Sequence, residues 1–542
     1  MDTEEDPVEE LLKNTPVWGK YQLLAYVSLA FVCSFSVFPL SYIFTARDVK
    51  YRCLIEGCES ENTSESLYNP KWLKDFVPFE GDSPDSCHRY ALMNNNNSCS
   101  KRDVLKNDTT RCKKFIYQTQ DFTILHDFGL HCNENVWMLT MVGTTNMIGE
   151  LVCLSYSGFF SDRYGRKTAM LINIILCCFV GIIKSFSVSY IMYLLLEFLD
   201  PALGAGMYNS AFILAMEFVA PKNRNITNII ICCLFSLGEM CVGLAAWLTP
   251  SWRIMLRVLY FPGLISLTFY WTIPESLRWL LSKKKEDEVQ KIVTRFTGQK
   301  ENQLLSKYLQ TINRKSFGQS PTPTASETFS DAVKSKILFL RLIHCSFTWI
   351  SCTFLYYGLT MHSVSISENI YLSFIFSTAV EIPAYIIYYY GNEKIGRRLM
   401  IFLSFIATGA SCLAVGFIQK DSQTLRLCIF LVGKCCSTIS YTIIYVFTTE
   451  MFPTCSRHAM FSVCAMMGRM GAMVAPQLPL LSRISEILPL IMFAIIACTS
   501  GTLALLFPET LNTKLPDTIQ EAINIGKKRN RTTGSQGDRD GQ

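Results

Sequence analysis

Twelve stretches of about twenty mostly apolar residues dominate this sequence, and each is long enough to cross the hydrocarbon core of a bilayer. They lie at roughly 21–44, 136–160, 168–187, 189–213, 226–248, 253–273, 337–358, 370–390, 399–418, 425–447, 458–480 and 486–507. Composition agrees. Half of the residues are hydrophobic and only 17% are charged, where a soluble domain carries about a quarter. The first run is too long, and too many spans follow it, for a cleaved signal peptide. The expected fold class is an all-α membrane protein with twelve transmembrane helices.

Beyond the long gap after span 1, basic residues cluster in alternate gaps. Those after spans 2, 4, 6, 8 and 10 hold DRYGRK, PKNR, a long stretch with SKKKEDE, NEKIGRR and SRH. The gaps after spans 3, 5, 7, 9 and 11 are short and nearly uncharged. The positive-inside bias makes the basic face cytosolic, and both termini with it. The long segment 45–135 then lies outside. It holds Cys53, Cys58, Cys87, Cys99, Cys112 and Cys132, and N-glycosylation sequons at Asn62, Asn96 and Asn107. Six cysteines on an oxidising side predict three disulfides, with all fifteen pairings open. Sequons at Asn225 and Asn530 fall on the cytosolic side and are expected to stay unused. The other sixteen cysteines lie in or near spans, show no metal spacing and are read as small packing residues. The net charge of +6 marks topology, not a nucleic-acid surface.

Three signals recur in order. DRYGRK (162–167) answers EKIGRR (393–398), EFVAPKNR (217–224) answers EMFPTCSR (450–457), and PESL (274–277) answers PETL (508–511). The offsets are 231, 233 and 234 residues. The chain therefore divides into two parallel six-span halves, an architecture of transporters with the substrate site at the interface of the halves. The expected organisation is a cytosolic N-terminus (1–20), a first bundle (21–273) that includes the Cys-rich segment, a cytosolic linker (274–336), a second bundle (337–507) and a cytosolic tail (508–542). The polar end of the tail is expected to be disordered.

These residues carry a resemblance. GFFSDRYGRK (Gly158–Lys167) is similar to the G-x-x-x-D-R-x-G-R-R loop of the major facilitator superfamily. TILHDFGLHC, PESLRWLL, LYYGL, VGK (432–434), YVFTTEMFPT and PETL resemble the organic cation, anion and zwitterion (carnitine-type) transporter family, as does the large Cys-rich segment after the first span. The resemblance runs from about 18 to 515. It implies a plasma-membrane secondary carrier of small organic ions, amines or carnitine-like zwitterions, that works by alternating access without a cofactor. It also implies a cytosolic latch made by Asp162, Arg163, Arg166, Glu217, Arg224, Glu393, Arg397, Glu450 and Arg457, in which carboxylates and guanidinium forks bridge helix ends of both halves. The plainer alternative is that these residues set only topology and loop shape. The second loop departs from the pattern, with Glu393 in place of Asp and no glycine four residues earlier.

Charged residues inside spans are costly and are functional candidates by default. The clearest are Glu150, Glu197, Asp200, Glu239, Glu381, Lys434 and Arg469. The resemblance implies that Arg469 marks anion or carnitine-type branches, where the cation-selective branch tends to carry Asp. EIPAY (381–385), with Tyr385 in place of the Lys of anion carriers, fits the carnitine type. A zwitterion would place its ammonium near Glu381 or an aromatic face and its carboxylate near Arg469. Tyr356 and Tyr357, at the outer end of span 7, contact either substrate or packing. In span 4, EFLDP (197–201) replaces the family's R-F-L-Q-G. Glu197 and Asp200 share a helical face. Three readings stand: they receive a cation, they pair with Arg253 or Arg257, or the site is degenerate. No P-loop, metal cluster or catalytic triad is present, so neither an enzyme nor an ATP-driven pump is expected. The partners are an organic ion and the lipid bilayer, not nucleic acid. An organic anion carrier and a transporter-like receptor or scaffold without flux are the alternatives.

Overall fold

The computed structural model describes residues 20–525 except 56–57, 60–67, 81–82, 93–103, 220–222, 298–328, 420–421, 455, 512 and 514. Cys99, Asn62, Asn96, Asn530, most of the linker and the end of the tail lie outside the described residues. Among the described residues eleven helical segments are long and apolar enough to cross a membrane, and Leu488–Ala504 adds a shorter apolar helix. They form the two six-helix repeats of the major facilitator fold. The face that carries the Cys-rich segment is called outer below, and the face with the basic loops inner.

The helices used below are α1 (Lys20–Phe35), α2 (Val136–Tyr164), α3 (Arg166–Lys184), α4 (Tyr190–Gly204), α5 (Gly206–Glu217), α6 (Arg224–Leu248) and α7 (Trp252–Tyr260) in the first half. The second half has α8 (Lys336–His362), α9 (Ile370–Ala379), α10 (Glu381–Lys394), α11 (Arg397–Phe417), α12 (Gln423–Met451), α13 (Arg457–Val474) and α14 (Leu488–Ala504). Span 4 is two helices. Pro201 cannot donate to the helical ladder, and the span breaks just beyond it, between α4 and α5. Glycines bring helices together where a side chain would not fit. A Cβ on Gly149 would strike the Phe198 carbonyl of α4, and one on Gly471 the Ile350 carbonyl of α8.

Gly165 and Gly396 do different work. Their φ angles are +103° and +94°, so the chain ends α2 and α10 and restarts at once as α3 and α11. An L-residue is strained there. In each half a distant glutamate then covers the new helix start. Glu275 of PESL accepts from the Lys167 N–H at 3.0 Å. Glu509 of PETL accepts from the Arg397 and Arg398 N–H groups at 3.0 and 3.1 Å. The first N–H groups of a helix lack internal partners and favour negative charge. Burial pushes the Glu275 carboxyl up, against the N–H donors that hold it down. The recurring third motif thus fastens the end of span 6 to the start of span 3, and its copy repeats the tie in the second half.

The outer segment is built on short antiparallel pairs: β1 (Tyr51–Cys53) with β4 (Phe115–Tyr117), and β2 (His88–Leu92) with β3 (Val104–Arg111). Disulfides join Cys53 to Cys112 and Cys87 to Cys132, and Cys58 is also disulfide-bonded. Asn107 lies on exposed β3. His126 caps a helical turn (Ile124–Asp127) by accepting from the Thr123 N–H at 3.1 Å. Burial, with His131 nearby, pulls its ring down to about 4, so it is neutral at physiological pH. Asp127 of that turn accepts from Trp252 Nε1 and Arg253 Nε, both at 2.9 Å, and pins the segment to α7.

A candidate substrate site between the halves

The two halves meet through their outer parts. Thr144 of α2 donates to the Met473 carbonyl at 3.1 Å, and Gln477 donates to Thr144 at 2.6 Å. Gly243 of α6 lies against Phe374 and Ile375 of α9. Arg483 of the second half reaches Asp48 and Asn133 of the first.

Below this seam lies a buried polar cluster. Lys434 of α12 pairs with Glu381 Oε1 at 2.8 Å and donates to Thr360 Oγ1 at 2.6 Å. Its ammonium sits 3.7 Å from the centre of the Tyr356 ring. Glu381 Oε2 accepts from Ser236 at 2.8 Å, Tyr356 at 3.0 Å and Tyr385 at 3.2 Å. Glu239 comes from α6 in the other half, and its Oε1 lies 3.4 Å from the Tyr356 hydroxyl. Glu239, Glu381 and Lys434 are all 0% exposed. The cluster thus joins Glu239 and Ser236 of the first half to Tyr356, Glu381, Tyr385 and Lys434 of the second. Tyr441 stacks on Tyr356 with 4.6 Å between ring centres.

Arg469 is not free. It pairs with Glu150 of α2 at 2.9 Å across the interface and donates to the Tyr357 hydroxyl at 3.0 Å. The carboxylate expected from a zwitterionic substrate is supplied by the protein itself. Glu150 and Glu381 stand 231 residues apart, the offset of the two glycine loops, so they are counterparts in the two halves. One reaches across the interface to an arginine, and the other holds a lysine of its own half.

Glu197 and Asp200 are also placed differently from the pairings weighed above. Arg253 is held by Asp127 and by the Ser185 and Ser187 carbonyls, and Arg257 donates to Ser185 Oγ. The partner of both acids is Lys184, at the end of α3, 3.1 Å from Glu197 and 2.6 Å from Asp200. All three are 0% exposed. Asn146 donates to Glu197 at 2.7 Å, and Tyr260 and Cys177 donate to Asp200 at 2.5 and 3.1 Å. A single lysine at a span end resembles a side chain that snorkels to the interface. Only the packing of α3 on α4 turns it inward.

On the inner face, Asp162 pairs with Arg166 at 2.6 Å, and Arg397 with Glu450 at 3.1 Å. Both pairs stay within one half and do not bridge the two. Thr510 of PETL also donates to Glu450 at 2.6 Å. Arg457 donates to the Phe452 and Pro516 carbonyls. Arg163 lies over the Tyr164 ring, and Glu393 is exposed. Glu217 and Arg224 flank the start of α6, both half-buried. Glu275 and Glu509 were not singled out among the charges. Their signal was the recurrence of P-E-S/T-L, whose role as a helix cap needs the third dimension.

The pattern that defines the family described as sugar (and other) transporters matches residues 87–520. The chain is 30% identical to mouse solute carrier family 22 member 2 over 542 residues, which covers 96% of each chain. It is 29% identical to rat solute carrier family 22 member 3, again over 96% of each. It is 27% identical to the organic cation transporter protein of Drosophila melanogaster, over 96% of this chain and 95% of that one. Its fold is similar to that of the E. coli xylose transporter XylE in a partially occluded inward-open conformation, with a TM-score of 0.59, 15% identity, and coverage of 91% of this chain and all of the other.

Proposed function

This chain belongs to the sugar (and other) transporter family and to solute carrier family 22, and on that premise we propose that the organic ion it carries is an amine, protonated or quaternary. It is a multi-pass membrane transporter of organic ions. The amine reading rests on the charge count between the halves. Glu239 and Glu381 face a single lysine, Lys434, in a site closed to solvent. One uncompensated negative charge in a low dielectric attracts a cation. The Tyr356 ring already takes the Lys434 ammonium on its face and stacks on Tyr441, so the lining is aromatic and of the kind an ammonium favours.

The carrier works at the plasma membrane by alternating access, with the basic loops and both termini in the cytosol. Asn107 on β3 faces the exterior as a glycosylation site. The inner-face clusters act as the latch that holds the cytosolic side shut when the outer seam opens. A carnitine-like zwitterion is the second reading. It is supported by Arg469, and it requires the substrate carboxylate to displace Glu150 from that guanidinium.

Reconstitution into liposomes decides between charge classes. Saturable uptake of labelled tetraethylammonium is expected, with little uptake of the anion p-aminohippurate. Glu381→Gln is expected to weaken the amine by about tenfold or more, the scale of one charged hydrogen bond. A Glu381→Gln/Lys434→Gln double variant controls for the stranded lysine. Uptake of the anion alone would reverse the assignment.

A further inference from the structure

The same cluster holds a carboxyl whose state between substrates the amine reading does not address. Glu239 Oε2 is buried and has no hydrogen-bond partner. Its other oxygen has only the long contact with Tyr356, whose single proton already serves Glu381 at the shorter distance. Lys434 is directed to Glu381, Thr360 and the Tyr356 carbonyl. The Glu239 carboxyl instead faces that of Glu381.

Among the described residues no further charged group acts on it. α9 and residues 23–35 of α1 pack on α6 and contain no acidic or basic residue; α5 and α10 also pack on it, and besides Glu381 their charges, Glu217, Glu393 and Lys394, stand at their inner ends. The two arginines of α7, Arg253 and Arg257, are committed to the outer segment and to the Ser185 turn. The titratable groups around Glu239 are therefore Glu381, Lys434, Tyr356 and Tyr385. Two ionised carboxylates that touch, with one lysine between them, leave a net negative charge inside the membrane. Such a charge is neutralised in one of two ways, by a proton on a carboxyl or by a bound cation.

We infer that Glu239 carries a proton in the empty carrier and exchanges it for the amine, one for one, so that transport is an electroneutral proton–amine antiport. This rests on the amine reading above. When the amine enters, the Glu239 O–H bond breaks. The proton leaves to the water on the side the amine came from, and the carboxylate left behind pairs with the ammonium. After reorientation the amine departs on the far side and a proton from that side takes its place. The site is neutral in both loaded states: Glu381 with Lys434 and a protonated Glu239, or two carboxylates with Lys434 and the amine. The state with neither proton nor amine keeps the buried charge and does not cross, so the carrier exchanges and does not leak. The Lys184 cluster has the same count of two acids and one lysine. It lies within one half, with its acids bonded by Asn146, Tyr260 and Cys177, and it is not a place where ligands trade.

The test uses the full chain in liposomes with a pH dye inside and tetraethylammonium outside, because a quaternary amine carries no proton of its own. Amine uptake is expected to make the lumen alkaline, with one proton leaving per amine, at a rate indifferent to an imposed potassium diffusion potential. Proton and amine compete, so apparent amine affinity rises by up to about tenfold for each unit of pH. Glu239→Gln is expected to bind the amine more weakly, to lose the pH dependence and the dye signal, and to become driven by an inside-negative potential. Wild-type amine uptake without a lumenal pH change, or accelerated by that potential, overturns the antiport. Should no amine move at all, the amine reading fails by itself. The infrared carboxylic-acid C=O band of the purified protein at neutral pH then decides on the proton: a band lost in Glu239→Gln supports it, and no such band in the wild type overturns it.

Discussion

Arg469 and Glu150 form an ion pair that joins the two halves, and both side chains are mostly buried, at 13% and 19% exposure. Removing one partner strands the other in a medium that does not solvate it. Losses of about 3–5 kcal/mol follow for a fully buried pair and somewhat less here. Arg469→Ala is therefore expected to lower both the thermal stability and the uptake of any substrate, and Glu150→Gln added to it restores much of both. Unrestored uptake in the double variant, with stability recovered, would show instead that the guanidinium itself touches substrate. Residue roles were legible in the sequence only as far as cost. A charge inside an apolar span announces itself, so Glu150, Glu197, Asp200, Glu239, Glu381, Lys434 and Arg469 stood out. Their pairings did not. Lys184 was not singled out, and nothing joined Glu150 to Arg469, because pairing depends on which helix faces are turned toward each other.

At the scale of elements, the repeated loops are tight turns with an attached cap. Gly165 combines a φ of +103° with a carboxylate, Glu275, where its Cβ would stand. Gly158, seven residues earlier and inside α2, has nothing within 4 Å of that position. Gly165→Ala is thus expected to destabilise the protein and Gly158→Ala to stabilise it slightly, by about 0.5–1 kcal/mol of helix propensity. Glu275→Gln is expected to cost about 1–2 kcal/mol through the lost charge at the α3 start. Thermal unfolding in detergent measures all three. Equal losses at the two glycines would remove the cap from the account. The motif DRYGRK was readable as a turn because glycine between charged residues at a membrane face has few other uses. PESL and PETL were readable as repeats and not as caps, because their partner helices begin more than a hundred residues away.

For the whole molecule, the hydrophobic spans and their duplication were sufficient to foresee two six-helix halves, because apolar length and basic-loop bias are local properties. The state of the gate was not foreseeable, because both states use the same spans. In this one the outer seam is closed, and glycines in α6 show how it is closed. Gly238 faces the Ser34 carbonyl of α1, inside the first half, whereas the three atoms nearest a Cβ on Gly243 all belong to Phe374 and Ile375 of the second half. A leucine at either position keeps the helix, since leucine is a good helix former. It acts on different equilibria. Gly238→Leu drives α1 from α6 in every state, so it is expected to lower thermal stability and surface level together. Gly243→Leu clashes only when the outer seam is shut. It is expected to leave folding intact and to hold the carrier open to the outside. Amine binding in detergent should then stay within about threefold of the wild type while flux falls by tenfold or more, since a carrier held in one state by about 1.4 kcal/mol loses that factor in cycling. Normal flux in Gly243→Leu would mean that the α6–α9 contact does not part during transport and that the outer opening lies elsewhere along the seam.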